Sequence, residues 1–379
     1  MFSRIKGVRF AILAVLAAAS ALALLADDSP ALPLLAPGLH VGVIYSPPED
    51  DPDALVRLDA AFGEAVQSGA SAHELAISWS DLEPHPGEID TTDLESLLEI
   101  LSGARLQPYL SITTINTVKL TLPADLMTTD EYELAESRHF DDPVIVERFT
   151  RLLDVVAPLL ARHGGFFVSV GNEVEGWLEA RPDEAPGFVA FVEAARHHVH
   201  QLEPRLGVGA TITHGGVERG WEYIDDLLAV SDAAAFTYYP LNDDFSVRDP
   251  SVGAADIALM VEAAGSLPVL FQEVGYPSGY LPVPGNGSSG EKQRQFFENF
   301  LAEIQRYPQV RFVSVLQLSD WNSAICDAFV QYYTGQAALP QLHEYLCSLG
   351  LIEYDGTPKP AFGTFLAALR EIAASRAGK

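Results

Sequence analysis

FFVSVGNEVE, residues Phe166–Glu175, begins as an apolar, β-branched run and stops abruptly at Asn172 and Glu173. A short apolar run bounded by turn residues predicts a strand buried on both faces of a parallel sheet. A second run of the same kind, LPVLFQEVG over Leu267–Gly275, ends in Glu273, 100 residues further on (273 − 173). A carboxylate at the end of a buried strand is costly unless it has a partner or a task. Two such strands point to one arrangement: Glu173 and Glu273 face each other across a single pocket, and the remaining chain is the scaffold that places them.

Outward from these runs, strand-like and helix-like segments alternate. Eight strands are predicted at Leu39–Tyr45, Ala72–Ser78, Leu106–Thr113, Phe166–Gly171, Leu206–Thr213, Ala233–Tyr239, Leu267–Gln272 and Arg311–Leu318. Helical patterns fall at Pro52–Val66, Thr92–Ser102, Asp142–Arg162, Pro186–Leu202, Glu218–Val230, Ser251–Ala264, Gly290–Gln305 and Pro360–Ala374. Eight such units predict an α/β fold closed into a single (β/α)8 TIM barrel over residues 39–379, with its chemistry at the C-terminal ends of the strands. An open doubly wound sheet would carry a Gly-rich phosphate loop after its first strand. Here that strand ends in Tyr45-Ser46-Pro47-Pro48, and no G-x-G-x-x-G or P-loop occurs elsewhere, so no nucleotide cofactor is expected. The long connections Thr114–Asp141 and Val274–Ser289 lie on the catalytic face, where loops build substrate walls; the second, rich in Gly, Pro and Ser, reads as mobile.

Arg4, Lys6 and Arg9 precede an apolar run, Phe10–Ala26, which ends in a small residue before Asp27. This is the grammar of a signal peptide over residues 1–26, followed by a Pro/Ala-rich linker over 27–38. The run is short for a spanning helix, so the reading is a secreted or periplasmic protein with no stable membrane partner, and an uncleaved anchor is the lesser alternative. In an oxidising compartment Cys326 and Cys347 can pair, or both can stay buried and free. The net charge of −29 argues against nucleic acid or an anionic membrane surface as partner.

Glycosidic bond hydrolysis needs two carboxyls, one to protonate the leaving oxygen and one to attack or to activate water; a separation of about 5–5.5 Å marks the retaining, covalent route. Asn172, beside Glu173, can both donate to and accept from a sugar hydroxyl. Tyr238-Tyr239-Pro240 closes strand six, where a phenol can hold a carboxylate ionised. Strand alternation sends one of the two tyrosines inward, and Tyr239 is favoured over Tyr238. Trp321 after strand eight and Trp79 after strand two are candidate platforms for sugar faces; Trp177 and Trp221 are weaker candidates of the same kind. His214, ending strand five, is a further candidate ligand for a hydroxyl. His197, His198 and His200 lie in a helical pattern that does not gather them on one face, and strand one carries no His-x-His, so no metal is expected.

VGNEVEG, FTYYP, QEVGYPSG and GLIEYDGTPKPAF together resemble the clan of retaining glycoside hydrolases built on a (β/α)8 barrel with catalytic glutamates on strands four and seven. The nearest motifs are those of endo-β-1,4-galactanases and endo-β-glucanases. The resemblance implies that Glu173 is the acid/base, Glu273 the nucleophile and Trp321 a subsite floor. ISWSDLEPHPGEID, Ile77–Asp90, is similar to the clan's W…LEP…G…D stretch. The chain departs from the pattern in having no arginine on strand two, in Thr237 where a His or Ser is usual, and in Leu241-Asn242 where galactanases carry a Trp. The expected activity is that of a secreted retaining β-glycosidase acting on a β-linked glycan. The alternative is a glycan-binding barrel without catalysis.

Overall fold

The computed structural model describes residues 37–46, 52–135, 138–279, 285–335 and 339–377. The segments read as signal peptide and as linker up to residue 36 lie outside them. No helix among the described residues is long and apolar enough to cross a membrane.

Eight parallel strands follow one another around a barrel: β1 (His40–Val43), β2 (Ala72–Ser78), β3 (Gln107–Thr113), β4 (Phe167–Ser169), β5, β6 (Ala234–Tyr238), β7 (Val269–Val274) and β8 (Val310–Val315). β5 is interrupted at Ala210. Its first part, Gly207–Gly209, pairs with β4, and its second, Thr211–Thr213, pairs with β6. Ladders run unbroken from β2 to β5 and from β5 through β8 to β1. β1 and β2 meet more loosely, through the Ser71 N–H donated to the Val41 carbonyl at 3.0 Å. A Cβ on Gly42 would lie 2.1 Å from the Ala72 carbonyl oxygen, so only glycine allows this approach.

The lower barrel is filled by side chains from alternate positions. The Tyr109 ring lies between Phe167 and Phe312, at 5.2 and 5.3 Å between centroids, with Ala72, Ala235 and Leu270 around them. Such interdigitated layers make the barrel interior a packed core rather than a pore.

The outer helices are α1 (Pro52–Gln67), α2 (Thr92–Gly103), α3 (Pro143–Arg162), α4 (Ala185–Leu202), α5 (His214–Arg219), α6 (Ile224–Ala229), α7 (Gly253–Ala263), α8 (Gly290–Ile304), α9 (Ser323–Thr334), α10 (Pro340–Cys347) and α11 (Pro360–Ala377). Caps set their starts: Asp142 accepts from Val144 N at 2.8 Å with Pro143 at the first turn, and Asn322 accepts from Ile325 N at 2.9 Å. The single helix expected at Glu218–Val230 is instead α5 and α6, because Gly220 adopts φ 64° and ends the first. Helices α9 and α10 lie in a stretch for which the sequence predicts none. They are joined by the Cys326–Cys347 disulfide, which settles the question left open for the two cysteines.

At the bottom of the barrel Arg376, near the end of α11, donates to the Leu39 carbonyl at 3.2 Å, to the Gly69 carbonyl at 2.8 Å and to Ser71 Oγ.

Candidate active site

β4 and β7 bring Glu173 and Glu273 to the wall of one cavity of about 1250 Å³, at the C-terminal ends of the strands. In both places the strand breaks its alternation. Glu173 adopts a left-handed φ of 50°, a conformation that costs a non-glycine residue about 1–3 kcal/mol. As a result Asn172 and Glu173 both reach the cavity, although they are adjacent. In β7 the pairing with β6 shifts by one residue between Phe271 and Glu273. This bulge lets Gln272 and Glu273 both face inward.

Glu173 is held between two threonines. Thr237 Oγ1 on β6 donates to its Oε1 at 2.8 Å, and Thr117 Oγ1, from the hairpin after β3, donates to its Oε2 at 2.6 Å. Thr237, a departure from the clan pattern, is thus a direct partner of Glu173. Tyr239 OH donates to Glu273 Oε2 at 2.7 Å. Gly275 makes room for that contact: a Cβ there would lie 2.7 Å from the Tyr239 ring. Asn172 is fixed on both sides, accepting from Gln272 Nε2 at 2.9 Å and donating to Asn116 Oδ1 at 3.2 Å. Gln272 in turn accepts from Tyr109 OH at 3.0 Å, so a polar chain runs from the packed floor to the site.

Burial, and then the charge of Glu173, push the Glu273 carboxyl up to about 7, while the bond from Tyr239 pulls it down. Hydrogen bonding to the Glu273 carboxylate favours its charged form. A buried phenol is chiefly a donor, and it donates to Glu273. The Thr237 and Thr117 hydroxyls likewise donate to the two oxygens of Glu173.

Trp321 lines the same cavity, packed on Phe329 at 4.6 Å. Asp320 beside it is clamped by Lys359 of the terminal motif, with Nζ 2.6 Å from Oδ2 and Ser278 Oγ 2.8 Å from the same nitrogen. Tyr345 and Tyr333, carried by α10 and α9, close the wall, Tyr345 edge-on to Tyr239 at 5.6 Å. Sequence reading missed these two, because no helix was expected there. The described ends of the loop after β7 are pinned rather than loose: Glu344 accepts from Gly285 N and Asn286 N, and Ser278 N donates to the Ser348 carbonyl. Residues 280–284 lie outside the described part.

Three expected ligands are elsewhere. Trp79 is fully buried outside the barrel, edge-on to Phe149 at 5.0 Å, with its N–H donated to Glu83 Oε2 at 2.8 Å. The other oxygen of Glu83 takes Gly87 N and the Arg148 guanidinium, so the W…LEP…G stretch is a structural knot. Tyr238 points outward, as alternation requires once Tyr239 points in, and donates to Asp256 Oδ2 at 2.9 Å. His214 begins α5 away from the cavity, against Tyr238 and 3.6 Å from Asp256. His197, His198 and His200 pair separately with Gln201, Asp154 and Asp232. Trp177 is buried, its N–H on the Tyr132 carbonyl, and Trp221 is nearly so.

No protein-family model matches the sequence, and no curated protein is similar to it. Solved structures are similar in fold. A GH5_18 glycoside hydrolase from Bifidobacterium longum subsp. longum superposes with a TM-score of 0.64 at 17% identity, over 89% of this chain and 79% of that one. A GH5_18 protein from Streptomyces cattleya, in complex with GlcNAc, gives 0.64 at 19% identity, over 89% and 81%. An exo-β-1,4-mannosidase from Opitutaceae bacterium strain TAV5 gives 0.66 at 17%, over 89% and 60%. The chain has the (β/α)8 barrel of these glycoside hydrolases. At this identity the likeness is one of fold, and the case for activity stands on the carboxyl pair.

Proposed function

We propose that the protein is a retaining β-glycosidase with Glu173 as acid/base and Glu273 as nucleophile. The observation that carries this reading is the Glu173–Glu273 pair on one cavity wall, with Tyr239 bonded to one carboxyl and two threonines to the other.

In the first step a Glu273 oxygen attacks the anomeric carbon while Glu173 gives its proton to the leaving oxygen. The glycosidic bond breaks and a glycosyl ester forms on Glu273. In the second step Glu173 takes a proton from water, the oxygen of that water attacks the same carbon, and the ester is released with its configuration retained. Asn172, with one N–H left over from its bond to Asn116, is placed to meet a sugar hydroxyl, and Trp321 to meet a sugar face.

The substrate in this reading is a β-linked glycan. GH5_18 proteins of the same fold were solved with Manβ1-4GlcNAc, so β-mannosides are the first to try. Secretion after loss of residues 1–26 is part of the proposal, and the disulfide fits an oxidising compartment.

The test is a panel of aryl β-glycosides and β-linked oligosaccharides with the chain from Asp27 onward, and with Glu273→Gln in parallel. Turnover lost in the variant, with the product anomer retained by NMR, is the expected result. Silence across the panel with glycan binding intact would replace the enzyme by a binding protein.

A further inference from the structure

The catalytic end of the cavity carries a third carboxyl, Glu74, which the mechanism above does not use. It sits on β2, on the face whose lower member, Ala72, belongs to the barrel interior, and it is in register with Tyr109. It lines the cavity but is only 4% exposed, and its Oε1 has no hydrogen-bond partner among the described residues. Two residues further along the same face Ala76 is exposed to the cavity, so the space above Glu74 is open.

Nothing on the wall offsets this charge. Arg105 is the single Lys or Arg among the described lining residues, and it precedes β3, at the opposite end of the barrel from the glutamates. The internal segments outside the description (47–51, 136–137, 280–284 and 336–338) contain no Lys or Arg. His73, the neighbour of Glu74, is held neutral, its imidazole pushed down to about 4 by burial. With Asp59 the cavity lining holds four carboxyls; such a cluster in a low-dielectric cleft focuses a potential of one sign, and an unpartnered buried carboxyl is stabilised most by a cation that reaches it. Burial, and then the charge of Glu273, hold Glu74 well above the usual carboxylate range, and a cationic group beside it would favour its charged form.

We propose that the glycone bound here carries a positive charge, as an unacetylated amino sugar does, and that its ammonium pairs with the Glu74 carboxylate. This rests on the glycosidase reading, whose substrate class it narrows.

The experiment compares aryl β-glycosides of 2-amino-2-deoxy sugars with those of the parent and N-acetylated sugars, on the wild-type chain and on Glu74→Gln. Calorimetric titration with glucosamine, mannosamine and galactosamine, against glucose, mannose and galactose, runs alongside. The expected result is a preference for the amine of at least about tenfold, the factor one charge-assisted hydrogen bond supplies. In Glu74→Gln the ratio should fall to about one. A preference for neutral sugars, or an amine preference that survives Glu74→Gln, overturns the proposal while leaving the glycosidase standing. If no glycoside is turned over, the glycosidase reading fails and the titration still decides: amine binding that depends on Glu74 upholds the charge pairing, and equal binding of amine and parent sugar refutes it.

Discussion

Tyr239 OH and Glu273 Oε2 stand 2.7 Å apart, the phenol donating. This bond favours the charged form of Glu273. In Tyr239→Phe the Glu273 carboxylate loses that donor. The kcat should fall by about 10- to 100-fold, the range for a hydrogen bond to a charged group. Since the bond lowers the Glu273 pKa, its loss raises that pKa, and the acid limb of the pH–rate profile should move to higher pH. An unmoved limb would deny Tyr239 this role.

Glu173→Ala should slow aryl glycosides with poor leaving groups far more than those with good ones, because only the former need a proton in the transition state. A Brønsted plot of kcat/KM against leaving-group pKa reads this directly. Equal losses across the series would remove Glu173 from the acid/base position.

Gly275→Ala tests the placement of Tyr239 from the other side. The added methyl would meet the Tyr239 ring and the Leu316 carbonyl oxygen, each at 2.7 Å. The ring must shift, and activity should drop in the manner of Tyr239→Phe. A double variant with Tyr239→Phe should show less than additive loss if the two act on one contact.

Glu175 lies behind the site, 1% exposed, accepting from Thr213 N at 2.9 Å, with its Oε2 unpartnered among the described residues. Burial pushes it up to about 7. The folded state therefore keeps a proton that the unfolded chain releases near pH 4.3–4.5. Stability from this group is full below that range and is lost as pH rises towards 7, by on the order of 3 kcal/mol. Glu175→Gln should flatten the fall in melting temperature between pH 5 and 7. An unchanged slope would assign the pH dependence to other groups.

Reduction of Cys326–Cys347 opens a loop of 21-residue separation, worth about 3 kcal/mol in chain entropy. The bond ties α9 to α10, which carry Tyr333 and Tyr345. Mild reductant should raise KM before the barrel melts. Loss of kcat alone, with KM constant, would mean that these helices do not shape the binding wall.

The barrel was legible because each strand is a compact apolar run and each helix a long periodic one. Glu173, Glu273, Asn172, Tyr239 and Trp321 could be placed on the cavity because each follows the end of such a run. What escaped were the departures from alternation. Nothing in Phe271-Gln272-Glu273 announces a bulge, so Gln272 was not read as an inward residue. The left-handed turn at Glu173 is equally silent. Trp79 was misplaced because a strand-end tryptophan looks the same whether it floors a site or knots onto Glu83. Thr117 arrives from a hairpin that has no pattern in the sequence, and Thr237 had been seen only as a departure. Strand two was read only for its missing arginine, and Glu74 on it was passed over.

The contacts of Arg376 with Leu39, Gly69 and Ser71 lie at the face of the barrel opposite to the glutamates. They fasten the last helix beneath the first two strands. A support, tag or fused partner attached at the described end of α11, after Ala377, would thus hang from the underside, leaving the mouth turned towards the liquid. Immobilised in this way, on a bead or an electrode, the protein would keep its cavity as accessible as it is in solution.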